Sequence, residues 1–395
     1  MTSSDRTPGA PRRIGGRLAV TAARARVASF VIALVLSGCS SAGQASQALA
    51  SPSAASTAAA TAIGAETAGP TAVAPSGART LLVDTDVATD DLVALTFLLS
   101  APMVDVVGIT VSGTGEAHCA GGVDVVLRLL ERLDAPDIPV ACGRETPLAG
   151  DHAFPAEWRE RVDHGSGLEL PRTDRKPADL TAVELIGEAS EQHDDLVVLT
   201  LGPLTNLAEA LLADDDLVDR LDAVYVMGGA LYVPGNLVCC GAPEGNAVGE
   251  WNIYVDPRAA QVLVESGVTQ LFVPLDGTNQ APVTPDFAAR AMVGERPAAR
   301  ILADLFAAND FMTDGSYYLW DPLAAMLAAG YRIGTFTPAA IEVEEAEGPE
   351  SGFTRPTQAD PNIEYLSTVD AALAEATLLG VLNGSGGSKP TPAGT

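Results

Sequence analysis

The sequence predicts an α/β fold, a single domain with a mainly parallel β-sheet flanked by helices. Three observations support this prediction. Apolar runs typical of buried strands alternate with longer helical patterns along residues 79–382, an order typical of parallel sheets with right-handed crossovers. Polar residues follow nearly every predicted strand. The length of this segment is normal for a domain built on one sheet.

The individual elements follow from apolar spacing, which is continuous in buried strands and three to four residues in helices. In the first half we predict strand 81–84, helix 92–100, strand 104–111, helix 120–133 and strand 138–141. Residues 143–180 lack periodicity, and so long an irregular segment is usually functional, often a lid. The second half contains helix 180–192, strand 196–201, helix 204–213, strand 223–227, helix 258–266, strand 271–275, helices at 284–310 and 317–329, a strand pair within 340–368 and helix 369–382.

The amino-terminal end differs in composition from this domain. Residues 1–26 hold six arginines and one acid, and an apolar run from Val27 to Leu36 follows, which predicts a secretory signal over residues 1–38. Leu36-Ser37-Gly38-Cys39 resembles a bacterial lipobox, which would make Cys39 the lipidated first residue of an exported lipoprotein on the extracellular face of the cell membrane. A signal without lipidation and an uncleaved anchor are the alternatives.

Two further segments contain too few apolar residues to form a core. Residues 39–78 are almost wholly Ala, Ser, Thr, Gly and Pro and predict a flexible tether, and residues 383–395 predict a disordered tail. The formal net charge is −28, and removal of the arginine-rich signal makes the remainder more acidic still. Such a surface repels nucleic acid and anionic lipid. It is compatible with a neutral small-molecule substrate and a bound cation.

Besides Cys39, four cysteines follow the signal: Cys119, Cys142, Cys239 and Cys240. Export would permit disulfides. The adjacent pair cannot readily bond to each other without strain, so any disulfide is expected to be a longer-range one, although the sequence does not give its connectivity. The spacing matches no zinc site.

Four aspartates lie between the first predicted strand and its helix: Asp84, Asp86, Asp90 and Asp91. Asp84 and Asp86 project to the same face of the strand, while Asp90 and Asp91 fall in the first helical turn, where the dipole favours negative charge. Crowded carboxylates raise each other's pKa, so either some are protonated or a hard cation, Ca²⁺ or Mg²⁺, lies among them. The alternative, Asp90 as a helix cap and Asp91 as a solvated acid, leaves Asp84 and Asp86 unexplained.

Five motifs along residues 80–380 occur in the order typical of one enzyme family. They are Asp-Thr-Asp-x₃-Asp-Asp at 84–91, Gly-Pro-Leu-Thr-Asn at 202–206, Met-Gly-Gly at 227–229, Glu-Trp-Asn-Ile-Tyr-Val-Asp-Pro at 250–257 and Asp-Pro-Leu-Ala at 321–324. With these motifs the chain resembles the inosine–uridine-preferring nucleoside hydrolases. The resemblance implies a Ca²⁺-dependent enzyme that hydrolyses the N-glycosidic bond of ribonucleosides to free base and ribose, and an assembly of identical subunits.

The resemblance also implies a role for individual residues. Asp86 would be the general base that activates a Ca²⁺-bound water, and Asp84 would support the metal site. The implied metal ligands are Asp86, Asp91, Asp321 and the carbonyl of Leu201 or its neighbour Thr200. The implied ribose-binding residues are Asp90, Glu250, Asn252 and either Asn236 or Asn246.

Two positions depart from the family pattern. Trp320 stands where the family usually has a histidine that could protonate the leaving base, and Thr114 stands where an asparagine is common. Trp320 could instead stack on the base, or be a packed core residue. His164 begins His-Gly-Ser-Gly-Leu, which resembles a base-side segment of the family. His164 could therefore supply the proton or contact the base.

Three hypotheses about function remain. The leading one is a lipid-anchored, exported nucleoside hydrolase. The second is a nucleoside- or ribose-binding lipoprotein on the same scaffold with weakened catalysis, which the missing histidine motivates. The third is a phosphatase that uses Asp84 and Asp86 as nucleophile and acid. It fits poorly, because such enzymes need a later basic residue and neither Lys176 nor Lys389 follows a strand.

Overall fold

The computed structural model describes residues 78–239 and 245–384. The predicted signal, Cys39, nearly all of the tether and the tail beyond residue 384 lie outside the described residues. All described elements lie in one structural unit and run from Arg79 to Leu382. In this part of the chain, no helix is long and apolar enough to span a membrane.

Eight strands form the central sheet in the order β3-β2-β1-β4-β5-β6-β10-β7. Every neighbouring pair is parallel except β10 and β7, which are antiparallel at one edge. The mainly parallel sheet is therefore confirmed. The strands are β1 Arg79–Thr85, β2 Val104–Val111, β3 Val140–Cys142, β4 Leu196–Thr200, β5 Leu221–Met227, β6 Gln270–Val273, β7 Gly334–Ala339 and β10 Ile363–Val369, and a separate pair is β8 Ile341–Val343 and β9 Thr354–Pro356.

The central strands are continuously apolar because helices cover both faces of the sheet. Leu81 and Val83 of β1 face one core, and Leu82 between them faces the other, and all three are fully buried. The helices are α1 Thr89–Ser100, α2 Cys119–Arg132, α3 Ala156–Asp163, α4 Ala182–Gln192, α5 Thr205–Ala213, α6 Leu217–Arg220, α7 Trp251–Val255, α8 Pro257–Glu265, α9 Leu275–Thr278, α10 Pro285–Ala291, α11 Pro297–Ala308, α12 Trp320–Ala328 and α13 Ala371–Leu382.

The two cores take different helices. The first contains residues of α1, α2, α11, α12 and α13, and the second contains residues of α4, α5 and α8. Local sequence signals set several of the helix starts. Thr181 and Glu184 form a capping box at α4, and proline occupies an early position in α8, α10 and α11, where its missing N–H costs nothing.

Several elements differ from the sequence-based prediction. The irregular segment 143–180 contains α3, which hydrophobic periodicity does not reveal because only Arg159 and Val162 of this short helix are buried. The single helix predicted at 284–310 is two helices, α10 ending at Ala291 and α11 beginning at Pro297, because proline is unfavourable inside a helix and favourable at its first position. The predicted strand pair in 340–368 is β8 and β9 together with β10, which joins the main sheet beside β7.

A disulfide joins Cys119 at the start of α2 to Cys142 at the end of β3, with 5.6 Å between their Cα atoms. A longer-range disulfide is thus present. It fastens the loop after β2 to the neighbouring strand.

The strand order reverses beside β1. The chain moves from β1 outward through β2 and β3, and then returns to place β4 on the other side of β1. Ligands of open α/β sheets bind at such a reversal, outside the carboxyl ends of the strands. The aspartates that follow β1 and the residues that follow β4 therefore meet at the point where the topology leaves a crevice.

Candidate active site

A cavity of about 590 Å³ lies at this reversal. Acidic and amide side chains from the end of β1 and the starts of α1, α7 and α12 line one part of it, and aromatic side chains line another part. The two parts of the cavity are called the acidic floor (Asp86, Asp90, Asp91, Glu250, Asn252 and Asp321) and the aromatic wall (Phe311, Tyr317, Tyr318 and Trp320).

Asp91 is held by the turn that links β1 to α1. Its Oδ1 accepts hydrogen bonds from the Thr85 hydroxyl, from the Asp86 N–H at 3.1 Å and from the Val87 N–H at 3.3 Å. Val87 adopts a φ of +65°, a conformation rare for a β-branched residue. The strained turn wraps the backbone around this carboxylate. Asp91 Oδ2 is buried and has no hydrogen-bond partner among the described residues.

Asp90, Asp91 and Asp321 form a compact carboxylate group, with one oxygen of each within 4.8 Å of the others. Asp321 comes from the first turn of α12, so two helix N-termini point their acids at one another. Burial, and then the nearby Asp90 and Asp91, raise the pKa of Asp321 well above its usual range. Three oxygen donors and one buried, unpartnered oxygen fit a hard divalent cation, which would favour the ionised forms.

The acids of this carboxylate group differ in one member from the acidic metal ligands that the resemblance implies. It contains Asp90, which was assigned to ribose, whereas Asp86 is not part of it. Asp90 Oδ1 also accepts a hydrogen bond from the Tyr317 hydroxyl at 3.0 Å. Burial, followed by the Asp91 charge, raises the pKa of Asp90 to about 7.

Asp86 lies beside this group in a closely packed position. Its Oδ2 accepts the Glu116 N–H at 3.1 Å. A Cβ atom at Gly115 would lie 2.1 Å from Asp86 Cβ, and one at Gly202 would lie 2.6 Å from it. Two glycines are therefore required to let the loops after β2 and β4 close on this carboxylate. Burial, and then Asp91 and Glu116, raise the pKa of Asp86 well above its usual range.

The Leu201 carbonyl and Asn252 meet at the ends of β4 and β5. Asn252 Nδ2 donates to the Leu201 carbonyl at 2.7 Å and to the Met227 carbonyl at 3.2 Å. Both Leu201 and Asn252 line the cavity. This amide fixes the spacing between the two strand ends.

Glu250 caps the start of α7 and also lines the cavity. It accepts N–H hydrogen bonds from Gly229 at 3.0 Å, Asn252 at 3.1 Å and Ile253 at 3.2 Å. Burial raises its pKa, and these backbone hydrogen bonds oppose the rise. The capping function holds the carboxylate in place at the cavity edge.

The two candidate asparagines of the loop after β5 occupy different positions. Asn236 lines the cavity and its Oδ1 accepts the Trp251 N–H at 3.1 Å. Asn246 is buried inside the loop, where it accepts the Gly249 N–H at 2.9 Å and donates to the Ser351 carbonyl at 2.8 Å. Only Asn236 of the two faces the cavity.

Asp84 and Thr114 lie beneath the cavity and do not line it. Asp84 Oδ1 accepts the Thr110 hydroxyl at 2.6 Å and the Asn206 amide at 2.7 Å. Burial raises the pKa of Asp84 to about 7. Thr114 shares a hydrogen bond of 3.0 Å with Thr205. The Gly-Pro-Leu-Thr-Asn motif therefore supplies the two polar residues that support the strand ends from below.

The two residues predicted to contact the base, Trp320 and His164, occupy different positions relative to the cavity. Trp320 lines the cavity, half-buried, with its ring centroid 4.8 Å from that of Tyr317. His164 is exposed at the end of α3 and does not line the cavity. All four histidines of the chain lie in the described ranges, and none lines the cavity.

Residues 81–375 match the family model described as inosine-uridine preferring nucleoside hydrolase. The chain belongs to this family. It is an enzyme that hydrolyses the N-glycosidic bond of ribonucleosides, and the family depends on a metal that the carboxylate group could bind.

Relatives and solved structures support this assignment of the hydrolase. It is 28% identical to uridine nucleosidase 1 of Arabidopsis thaliana over 67% of this chain and 78% of the relative. It is 32% identical to a pyrimidine-specific ribonucleoside hydrolase of Klebsiella pneumoniae over 58% and 70%. A purine-preferring ribonucleoside hydrolase from Gardnerella vaginalis superposes with a TM-score of 0.67 at 27% identity, covering 77% of this chain and 99% of that one.

Sequence reasoning missed several residues of the hydrolase cavity. Glu116 follows the polar turn after β2, and burial, then the Asp90 charge, raise its pKa to about 8. Arg161 reaches the cavity from α3, and Tyr317 from the loop before α12. Glu116 could have been found by extending the rule of polar strand ends by two residues. No pattern in the sequence indicates Arg161 or Tyr317.

Proposed function

We propose that this nucleoside hydrolase is a Ca²⁺-dependent, exported lipoprotein in which Asp86 is the general base. The observation that supports the proposal is the pairing of Asp86 with a three-carboxylate group that contains a buried, unpartnered oxygen. The free oxygen and the neighbouring carboxylates can bind a cation, and Asp86 can accept a proton from a water molecule beside it. In a purely structural cluster, by contrast, the buried oxygens would be hydrogen-bonded within the protein.

The cation would be held by Asp91 and Asp321, with Asp90, Asp86 and the Leu201 carbonyl as further oxygen donors. Carboxylate and carbonyl oxygens favour Ca²⁺ over softer metals. When bound, such a cation lowers the pKa of water and so makes a nucleophile available near neutral pH.

Asp86 would accept the proton of the attacking water. The Glu116 N–H at its Oδ2 and the glycines around it hold the carboxylate in one orientation, and a fixed base in hydrogen-bond reach is what general-base catalysis requires. As the glycosidic bond breaks, the sugar gains oxocarbenium character. The surrounding carboxylates stabilise that positive charge.

Ribose would bind along the acidic floor. Glu250 and Asn252 line the cavity at the start of α7, Asn236 lines it from the loop after β5, and Asp90 lines it as a member of the carboxylate group. Hydroxyl groups can donate to the carboxylates and accept from the amides. The base would then lie against the aromatic wall, where Trp320 can stack on it.

The lipid anchor on Cys39, the extracellular location and an assembly of identical subunits complete the proposal. The Cys119–Cys142 disulfide supports export, because disulfides persist mainly in oxidising compartments. Metabolic labelling with a fatty acid, with a Cys39→Ala variant as control, tests the anchor.

The central test is ribose release from a panel of purine and pyrimidine nucleosides. We expect turnover that a calcium chelator removes and added Ca²⁺ restores. Asp86→Asn is expected to lower kcat by about 10²- to 10⁴-fold, the usual contribution of a general base, while Asp105→Asn, an exposed residue of β2, leaves it unchanged. Nucleoside binding by calorimetry without turnover would instead support the binding lipoprotein.

A further inference from the structure

Departure of the base requires stabilisation of negative charge, which the carboxylates of the acidic floor cannot provide. When the C1′–N bond breaks, its electron pair stays on the nitrogen, and the base becomes an anion unless it is protonated. Carboxylates of the floor repel such an anion. None of the four histidines, all of which are described, lines the cavity.

Arg161 is the only cationic side chain that lines the cavity in the described part of the chain. It projects from α3, the helix within the irregular segment between β3 and α4. Its guanidinium is always protonated at neutral pH and presents a planar fork of N–H donors. A base with carbonyl oxygens matches that fork, because these oxygens share the negative charge of the departing anion.

The position of Arg161 agrees with this role. Its guanidinium carbon lies 4.4 Å from the centroid of the Phe311 ring, a cation–π contact that holds the plane of the fork. Phe311 lies 5.6 Å from Tyr317, and Tyr317 lies 4.8 Å from Trp320, between ring centroids. Arg161 is thus continuous with the aromatic wall against which the base is placed.

The Arg161 guanidinium also has an N–H group available to donate a hydrogen bond to a ligand. Its Nε is buried and has no hydrogen-bond partner among the described residues. Buried N–H groups are normally paired, so an acceptor is missing at this place. Glu116 is the carboxyl that interacts electrostatically with Arg161, and it does not take up that N–H.

We propose that Arg161 stabilises the leaving base, by donating hydrogen bonds to its carbonyl oxygen as the C1′–N bond breaks. The water oxygen bonds to C1′ while its proton passes to Asp86, and the electron pair of the C1′–N bond moves onto the base. No proton moves from Arg161. The anionic base takes its proton from solvent after departure, and Asp86 returns its proton to solvent. This inference rests on the proposed function.

Because Arg161 acts by charge rather than by proton transfer, its contribution depends on the leaving group. A base that leaves as a poorly stabilised anion needs it most. An aryl riboside with an acidic phenol, such as p-nitrophenyl β-D-ribofuranoside, needs no such help and has no carbonyl oxygen to bind.

The experiment compares kcat/KM for uridine, inosine and p-nitrophenyl β-D-ribofuranoside in wild type and Arg161→Met. We expect a fall of about 10²- to 10³-fold for uridine and inosine, the usual cost of one donor to a developing anion. The aryl riboside is expected to change less than about 3-fold, within the effect of a lost packing contact. Arg300→Met, an exposed arginine of α11, is the matched control.

A second variant separates this role from a structural one. Guanidinium chloride at millimolar concentration is expected to restore part of the uridine activity of Arg161→Ala and none of that of Arg161→Met, which fills the space. An equal fall on all three substrates, or no fall on uridine, overturns the inference while the hydrolase function stands. If wild type releases ribose from none of the three substrates, the proposed function itself fails, and the role of Arg161 fails with it.

Discussion

The acidic floor and the aromatic wall of one cavity are built in different ways. Floor residues follow strand ends or open helices, and backbone N–H groups hold them in place, as with Asp91 and Glu250. Wall residues come from the 3₁₀ turn and loop before α12 and from the first residue of α12, and ring contacts hold them, as with Tyr317 and Trp320. The floor is therefore tied to the backbone at the edge of the sheet, whereas the wall is held by ring contacts and by one hydrogen bond to the floor, from the Tyr317 hydroxyl to Asp90.

This difference explains why a family of enzymes can keep one reaction while its members differ in base preference. The relatives of this hydrolase include one named for pyrimidine nucleosides and one for purine nucleosides. Sugar and cation chemistry needs carboxylates at defined separations. Base recognition needs only a surface of suitable shape, and loops supply such surfaces.

The largest expected effect comes from removing a carboxylate of the floor. Asp321→Asn keeps the size of the side chain but removes one charged oxygen donor from the three-carboxylate group. We expect the apparent Ca²⁺ affinity to fall by more than the 10- to 100-fold typical of residues that only support a ligand. Calcium titration of activity measures this, and saturating Ca²⁺ should restore part of the turnover.

The matched control for that variant is Asp310→Asn, at an exposed aspartate of the 3₁₀ turn before α12. It should leave calcium dependence unchanged. If Asp321→Asn behaves like the control, Asp321 is not a ligand and the cation must be held elsewhere.

A second variant tests the close packing of the floor. A Cβ atom at Gly115 would overlap the Asp86 side chain, so Gly115→Ala must displace either the loop or the carboxylate. We expect kcat to fall by about 10²-fold, because a displacement near 1 Å costs about that much. Steady-state kinetics measures the loss, and circular dichroism should show an unchanged fold.

Gly187→Ala is the control for added volume, because nothing lies within 4 Å of a Cβ atom at this position in α4. Alanine is expected to stabilise that helix by up to about 1 kcal/mol without changing kcat. If Gly115→Ala has normal kinetics, the carboxylates of the acidic floor can shift without loss of activity. The floor would then be no more rigidly required than the aromatic wall.

The smallest effect is expected at the wall. Trp320→Ala removes a ring that can stack on the base, a contact of about 0.5–1.5 kcal/mol, so we expect KM to rise by about 2- to 13-fold with little change in kcat. His164→Ala should change neither constant by more than about 2-fold, because this histidine is exposed and outside the cavity. A large loss of kcat in His164→Ala would instead assign it the leaving-group proton.

The contrast between the acidic floor and the aromatic wall also explains which features the sequence can predict. The order of strands and helices is visible in the sequence because it follows from the spacing of apolar residues. The four aspartates at the end of β1 and the start of α1 are recognisable as site residues because the strand ends of a parallel sheet share one edge. The boundary within 284–310 was misjudged although Pro297 indicates it, and α3 was missed. Choosing between Asn236 and Asn246 needed the path of the loop after β5, which no periodicity describes.

The sequence by itself indicated the fold class, because backbone periodicity and polar strand ends are local properties. Its five motifs indicated the family, and that resemblance implied the residues of the acidic floor. Only the tertiary structure showed that Asp90 joins Asp321 and Asp91 in one carboxylate group, that the Glu116 N–H contacts Asp86, and that His164 does not line the cavity. It alone brought Arg161 to Phe311. These contacts depend on how side chains from distant loops pack, and that packing is determined by the whole core rather than by residues adjacent in the sequence.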